Sequence, residues 1–246
     1  MYLRPTQPSM SLRPLSPAET AVEVNGGLQI GASMTMETLA RFPAAQAFPA
    51  LQMALRSLIV SSAHREAKLC NVLTGEGEVQ GLAAALIALD AELFVTGPIR
   101  ERAISLRKYL SLDGLKISDD ESITDFFLPK SSLPKSQSGS KESSNYQSVD
   151  YLRSGQALCG VAAWARKSGE TLEEVRLVLA GCTQVPVSLK RVSAALRGRE
   201  STPSHIEAAI RKLGEERLTL YNPELTMGSH LFNLTKTLIK RAVIMI

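Results

Sequence analysis

Residues 79–96 read VQGLAAALIALDAELFVT. The first twelve are apolar nearly all round, so a helix there has no face to give to water and must be largely buried. Residues 91–96 then read as a strand that ends at the Gly97-Pro98 turn. Upstream, LQIGA at 28–32 follows an Asn-Gly-Gly turn signal and reads as a strand, with a short helix at 36–41. A helix over 49–61 repeats Leu51, Leu55, Leu58 and Ile59 at three- and four-residue spacing, with Pro49 suited to its first turn. Downstream, 103–106 and 123–128 (ITDFFL) read as two more strands, the second stopped by Pro129.

At 130–145, KSSLPKSQSGSKESSN, hydrophobic residues almost vanish, and the stretch reads as a solvated connector. Beyond it the pattern changes. Residues 157–166 and 174–189 are β-like and joined around Lys167-Ser168-Gly169-Glu170, and helices are expected at 190–196, at 203–220 and from 229 to the C-terminus. The fold class is therefore α+β: an α/β first half over 1–129, a connector over 130–148 and an antiparallel sheet with helices over 149–246.

The 246 residues are 44% hydrophobic and 21% charged, enough for one good core or two modest ones. A formal charge of +4, spread without an arginine-rich block, speaks against nucleic acid. No apolar run approaches the roughly 18 residues of a membrane span, and MYLRPTQPSMSLRP lacks a signal-peptide core, so a cytoplasmic protein is expected. Cys70, Cys159 and Cys182 have neither CxxC nor Cys-His spacing, and His64, His205 and His230 lack partners at i+3 or i+4, so no metal site is expected.

GxSxG, GxGxxG and GxxxxGK[ST] are all absent. One stretch has the form of a phosphate cradle: Thr74-Gly75-Glu76-Gly77, just before the buried helix, where bare backbone lets N–H groups reach an anion. Glu76 and Glu78 oppose that reading, and a tight turn into a core helix is the alternative. Asp119-Asp120-Glu121 reads as a solvated turn and Trp164 as a core residue.

In order and spacing, several strings resemble the FAD-binding subunit of molybdenum-containing hydroxylases, the xanthine dehydrogenase and carbon monoxide dehydrogenase family. Tyr2-Leu3-Arg4-Pro5-Thr6 is similar to its first strand, and Gly27-Leu28-Gln29-Ile30-Gly31-Ala32 followed by Met34 to Leu39 to its G-L-x-I-G-A-x-x-T-x-x-E-L passage. Leu86 to Glu92 resembles its L-L-A-L-D-A-E junction, and Glu121 to Pro129 its E-L-I-T-x-I-x-I-P strand. Arg176 to Gly181 and Ala194 to Gly198 stand where that family has its C-terminal sheet and helices.

The resemblance implies an FAD-dependent electron-transfer subunit, partnered by a molybdenum-containing large subunit and an iron–sulfur small subunit. It places Ile123 at an aliphatic position near the flavin ring, with a plain core residue as the alternative; Gly75 and Gly77 are the remaining candidates for the cofactor's phosphates. The sequence departs from the family where the flavin is held. About twenty residues separate Pro5 from Gly27, without the Gly-Gly loop of the family's N-terminal lobe, and Leu69-Cys70-Asn71-Val72-Leu73 stands in place of T-I-G-G-N. Two readings stay open, an FAD-binding subunit and a cofactor-free structural or assembly subunit of such a complex. The shortened lobe also predicts that the apolar helix at 79–89 leaves surface for a partner chain to cover.

Overall fold

A computed structural model of the chain describes residues 20–24, 26–74, 79–115, 117–130, 140–151, 157–220 and 230–246. The first half runs β1 (Ala21–Val24), β2 (Gly27–Gly31), α1 (Met36–Arg41), α2 (Pro49–Leu58), α3 (Ser62–Arg65), α4 (Leu69–Thr74), α5 (Gln80–Ala88), β3 (Glu92–Thr96), β4 (Glu101–Ser105), α6 (Leu106–Tyr109) and β5 (Ser122–Pro129). Its strands form a sheet in the order β1-β2-β5-β3-β4, every neighbouring pair antiparallel. Alternate residues Leu28, Ile30, Leu93, Phe126 and Leu128 enter a core shared with Leu51 and Leu55 of α2 and Leu82 and Leu86 of α5.

Helix α5 ends in a Schellman turn: the Asp90 N–H donates to Ile87 C=O at 3.0 Å and the Ala91 N–H to Leu86 C=O at 2.9 Å. Asp90 occupies the left-handed position of that turn, φ +61°, where glycine is the usual choice. Its carboxylate compensates by reaching Arg107 at 3.0 Å and Arg176 at 3.5 Å.

The second half comprises β6 (Ser140–Asp150), β7 (Ala157–Ser168), β8 (Thr171–Ala180), β9 (Val187–Ser188), α7 (Lys190–Leu196), β10 (Arg199–Glu200), α8 (Pro203–Ile210) and α9 (His230–Ile244). The sheet order is β10-β8-β7-β6, with β9 on β8 and Gly169, φ +57°, turning β7 into β8. Three expectations are corrected. Residues 140–148, assigned to the connector, belong to β6 and pair along β7, while 131–139 lie outside the described residues. The β-like stretch 174–189 breaks after Ala180, and the helix expected over 203–220 ends at Ile210, followed by a 3-10 turn over Arg211–Glu215.

Both faces of this second sheet are buried. Val161, Ala163, Leu177 and Leu179 join a core with Val192 and Leu196 of α7, Ile206 and Ala209 of α8 and Leu238 and Ala242 of α9. Tyr146, Ala162, Trp164, Val178 and Ala180 face the other way, into the core that holds α2 and α5. The all-apolar α5 is thus covered by the chain's own second half, which corrects the expectation that a partner must cover it.

Polar contacts lock this seam. Phe48, at the N-cap of α2, gives the helix no side-chain hydrogen bond, and the Ala50 N–H donates instead to Ser144 Oγ of β6 at 3.2 Å. The Gln80 side chain accepts from the Gly181 N–H at 2.9 Å and donates to Gln184 C=O at 3.0 Å. The Ser57 hydroxyl donates to Asp150. The Tyr146 ring fills the space beside Gly81 of α5 and Gly160 of β7, where a Cβ on either glycine would strike its hydroxyl. Burial pushes that phenol's pKa well above its ordinary value, so the hydroxyl stays protonated.

Candidate functional site

Three stretches singled out in the sequence meet at one corner of the first sheet. The Ala32 N–H donates to Thr124 C=O and the Cys70 N–H to Ala32 C=O, each at 2.9 Å. The Leu69 N–H donates to Met34 C=O at 2.9 Å and the Met36 N–H to Ala67 C=O at 3.1 Å, with Thr35 and Lys68 forming a bridge between them. The turn after β2, the start of α4 and the start of β5 are therefore laced into one backbone cluster.

Ile123 sits at the edge of this cluster. The β3–β5 ladder pairs Phe94 with Asp125 and Val95 with Ile123, so Thr124 is the extra residue of a bulge, and its hydroxyl donates to Phe94 C=O at 3.3 Å. Ile123 itself is half-buried and packs against the core. Gly75 and Gly77 fall in 75–78, outside the described residues, between the end of α4 and Val79. Tyr2 to Thr6 also lie outside them.

Asp125, next along β5, gave no sequence signal. It is buried, and one carboxylate oxygen has no hydrogen-bond partner. Burial pushes its pKa up, and the neighbouring Thr124 and Gln29 side chains only partly offset this. Glu121, read as part of a solvated turn, is instead tied to Arg102 at 2.6 Å and to the Ser118 N–H at 3.1 Å, which together hold its carboxyl below the usual range. Trp164 is a core residue, covered by the Arg176 guanidinium 3.7 Å from its ring centre. No group of three or more potential metal ligands occurs among the described residues, and none of their helices is long and apolar enough to cross a membrane.

A pyrophosphate needs backbone N–H groups aimed outward at the anion. At the start of α4 two such donors, Leu69 and Cys70, are spent on Met34 and Ala32, and the Cys70 thiol turns to Asn71 Oδ1 at 3.3 Å. The Leu69 and Cys70 N–H groups are therefore not available to an FAD pyrophosphate.

An antiparallel sheet with helices on one face, followed by a second sheet buried between helical layers, makes a two-part α+β domain. Residues 3–131 match the model of the FAD binding domain in molybdopterin dehydrogenase and residues 146–243 that of the CO dehydrogenase flavoprotein C-terminal domain, so the chain belongs to this flavoprotein family, whose cofactor is FAD. Solved structures agree on the fold. A carbon monoxide dehydrogenase from Hydrogenophaga pseudoflava that lacks the Mo-pyranopterin moiety superposes with a TM-score of 0.77 at 19% identity, covering 92% of this chain and 77% of its own. Quinoline 2-oxidoreductase from Pseudomonas putida 86 gives 0.76 at 16% identity, covering 92% and 76%. Reconstituted CO dehydrogenase from Oligotropha carboxidovorans gives 0.73 at 16%, covering 93% and 78%. No curated protein sequence matches the chain significantly.

Proposed function

We propose that the chain serves as the FAD-binding electron-transfer subunit of a molybdenum-containing hydroxylase, working in the cytoplasm beside a molybdenum-containing large subunit and an iron–sulfur small subunit. The observation that carries this reading is the succession of two family matches along one chain, on a fold that follows the solved structures over more than nine-tenths of its length. When bound, FAD supplies the redox chemistry, and the protein's share is binding and orientation.

Since the Leu69 and Cys70 N–H groups are committed internally, residues 75–78 are proposed to meet the phosphates, through the backbone of Gly75 and Gly77. Ile123, at the β5 bulge, is proposed to flank the ring. The visible absorption spectrum of the full chain, purified from its native host with its complex, tests both parts. Stoichiometric flavin bands are expected, and Gly75→Val with Gly77→Val should bleach them without altering the far-ultraviolet circular dichroism. A wild-type spectrum without flavin bands sinks the reading and leaves a cofactor-free structural subunit; bands that survive the double substitution remove Gly75 and Gly77 from the site.

A further inference from the structure

A cavity of about 340 Å³ opens where the C-terminal end of α5 and helix α6 meet β8 and α7. Its floor is apolar, and its rim carries four cations, Arg107, Arg176, Lys190 and Arg197, against two carboxylates, Asp90 and Glu174. The carboxylates are already in use. Asp90 serves Arg107 and Arg176, and Glu174 lies 2.9 Å from Arg166, outside the cavity lining, and 4.0 Å from Arg176. Arg176 is poorly satisfied by them, since its buried Nε and Nη1 have no hydrogen-bond acceptor. Burial works against its charge, and Asp90 and Glu174 only partly offset this.

The Lys190 side chain makes no hydrogen bond or ion pair with any described residue, and the Arg197 side chain donates only to Glu173 C=O at 3.3 Å. The negative end of α5 points toward this cavity and absorbs part of the charge on its own side, but Lys190 and Arg197 stand across from it on α7 and just beyond. The rim thus holds more positive charge than its own carboxylates neutralise, above a floor able to seat a small organic body.

We infer that this cavity is a binding site for a small, multiply charged oxyanion, a phosphate ester or a polycarboxylate, held between Arg107 and Arg176 on one side and Lys190 and Arg197 on the other. Arginine offers a planar fork that fits either group, and the volume lies in the range of small-molecule sites. Because the rim draws on both halves of the chain, such a ligand bridges them and stabilises the folded state by mass action.

The test is thermal unfolding of the full chain in pyrophosphate or citrate, against chloride at equal ionic strength. A saturable rise in Tm is expected with at least one of the two, with pyrophosphate alone marking a phosphate ligand and citrate alone a carboxylate. The Lys190→Met and Arg197→Met double variant removes only exposed side chains; its Tm in chloride should match wild type, while anion affinity falls by about tenfold for each lost charge-assisted bond. Flavin absorbance, reporting on the other end of the first sheet, should not change. No rise beyond chloride, or a rise untouched by the double variant, overturns the site. A response confined to polyglutamate also overturns it, in favour of docking by an acidic polypeptide.

Discussion

The two sheets use similar numbers of strands to different ends. The first buries one face; on the other, Val22 and Ala103 are exposed and Gln29 and Phe94 half-exposed, while Gly27, Gly31, Asp125 and Phe127 are closed off. The second is the middle layer of a helix–sheet–helix stack and has no free face over β7. The difference separates the seam that carries stability from the corner at α4. Cohesion concentrates where α5 lies beneath β7 and β8, whereas the α4 corner, with Cys70 half-buried and Asn71 exposed, stands at the periphery.

The sharpest way to break this comparison is to hollow out the seam. Leu86→Ala in α5 removes a fully buried side chain and should cost about 2–5 kcal/mol in urea titrations. Trp164 fluorescence and far-ultraviolet circular dichroism should move together, and two separated transitions would show that the halves do not share a core. Next in size is Gly160→Ala, whose methyl group would strike the Tyr146 hydroxyl, at about 1–3 kcal/mol. Adding Tyr146→Phe should return part of that loss, and a double variant no more stable than Gly160→Ala alone would clear the hydroxyl of responsibility. Ser144→Ala removes the cap that the second half lends to α2, at about 1 kcal/mol; an unchanged urea midpoint would mean that water serves equally well.

The smallest effect tests the open sheet. Asp125 has a folded pKa above its reference of 3.8, so its ionisation weakens the fold as pH climbs from that reference through the folded value, and the whole penalty persists above it. Asp125→Asn should therefore raise Tm at pH 7 and leave it nearly unchanged near pH 3. A gain of equal size at both values would point to hydrogen bonding rather than charge.

Local patterns were legible and long-range partners were not. An all-round apolar helix at 79–89 demands burial, but periodicity cannot say what buries it, and the cover proved to be β7 and β8 of the same chain. Residues 140–148 look like a connector because β6 is an edge strand with a polar surface, and its inward residues, Ser144 and Tyr146, acquire meaning only opposite Ala50, Gly81 and Gly160. Asp90 in a glycine position depends on Arg107 and Arg176, far away in sequence. At the corner, the strings that suggested the family do converge. The loss of donors at α4 was readable as bulky side chains, but the carbonyls that take up Leu69 and Cys70 were not.

The shared seam also bears on how the chain is made. A ribosome adds about 5–20 residues per second, so α5 leaves it several seconds before β8, roughly ninety residues later, has been synthesised. Until then the helix has lost the second sheet as cover, and α2 lacks the Ser144 hydroxyl that caps it. Nascent chains halted before β7 are accordingly the form in which this protein most needs a chaperone, and slowing translation across 140–180 would lengthen that window without changing a single residue.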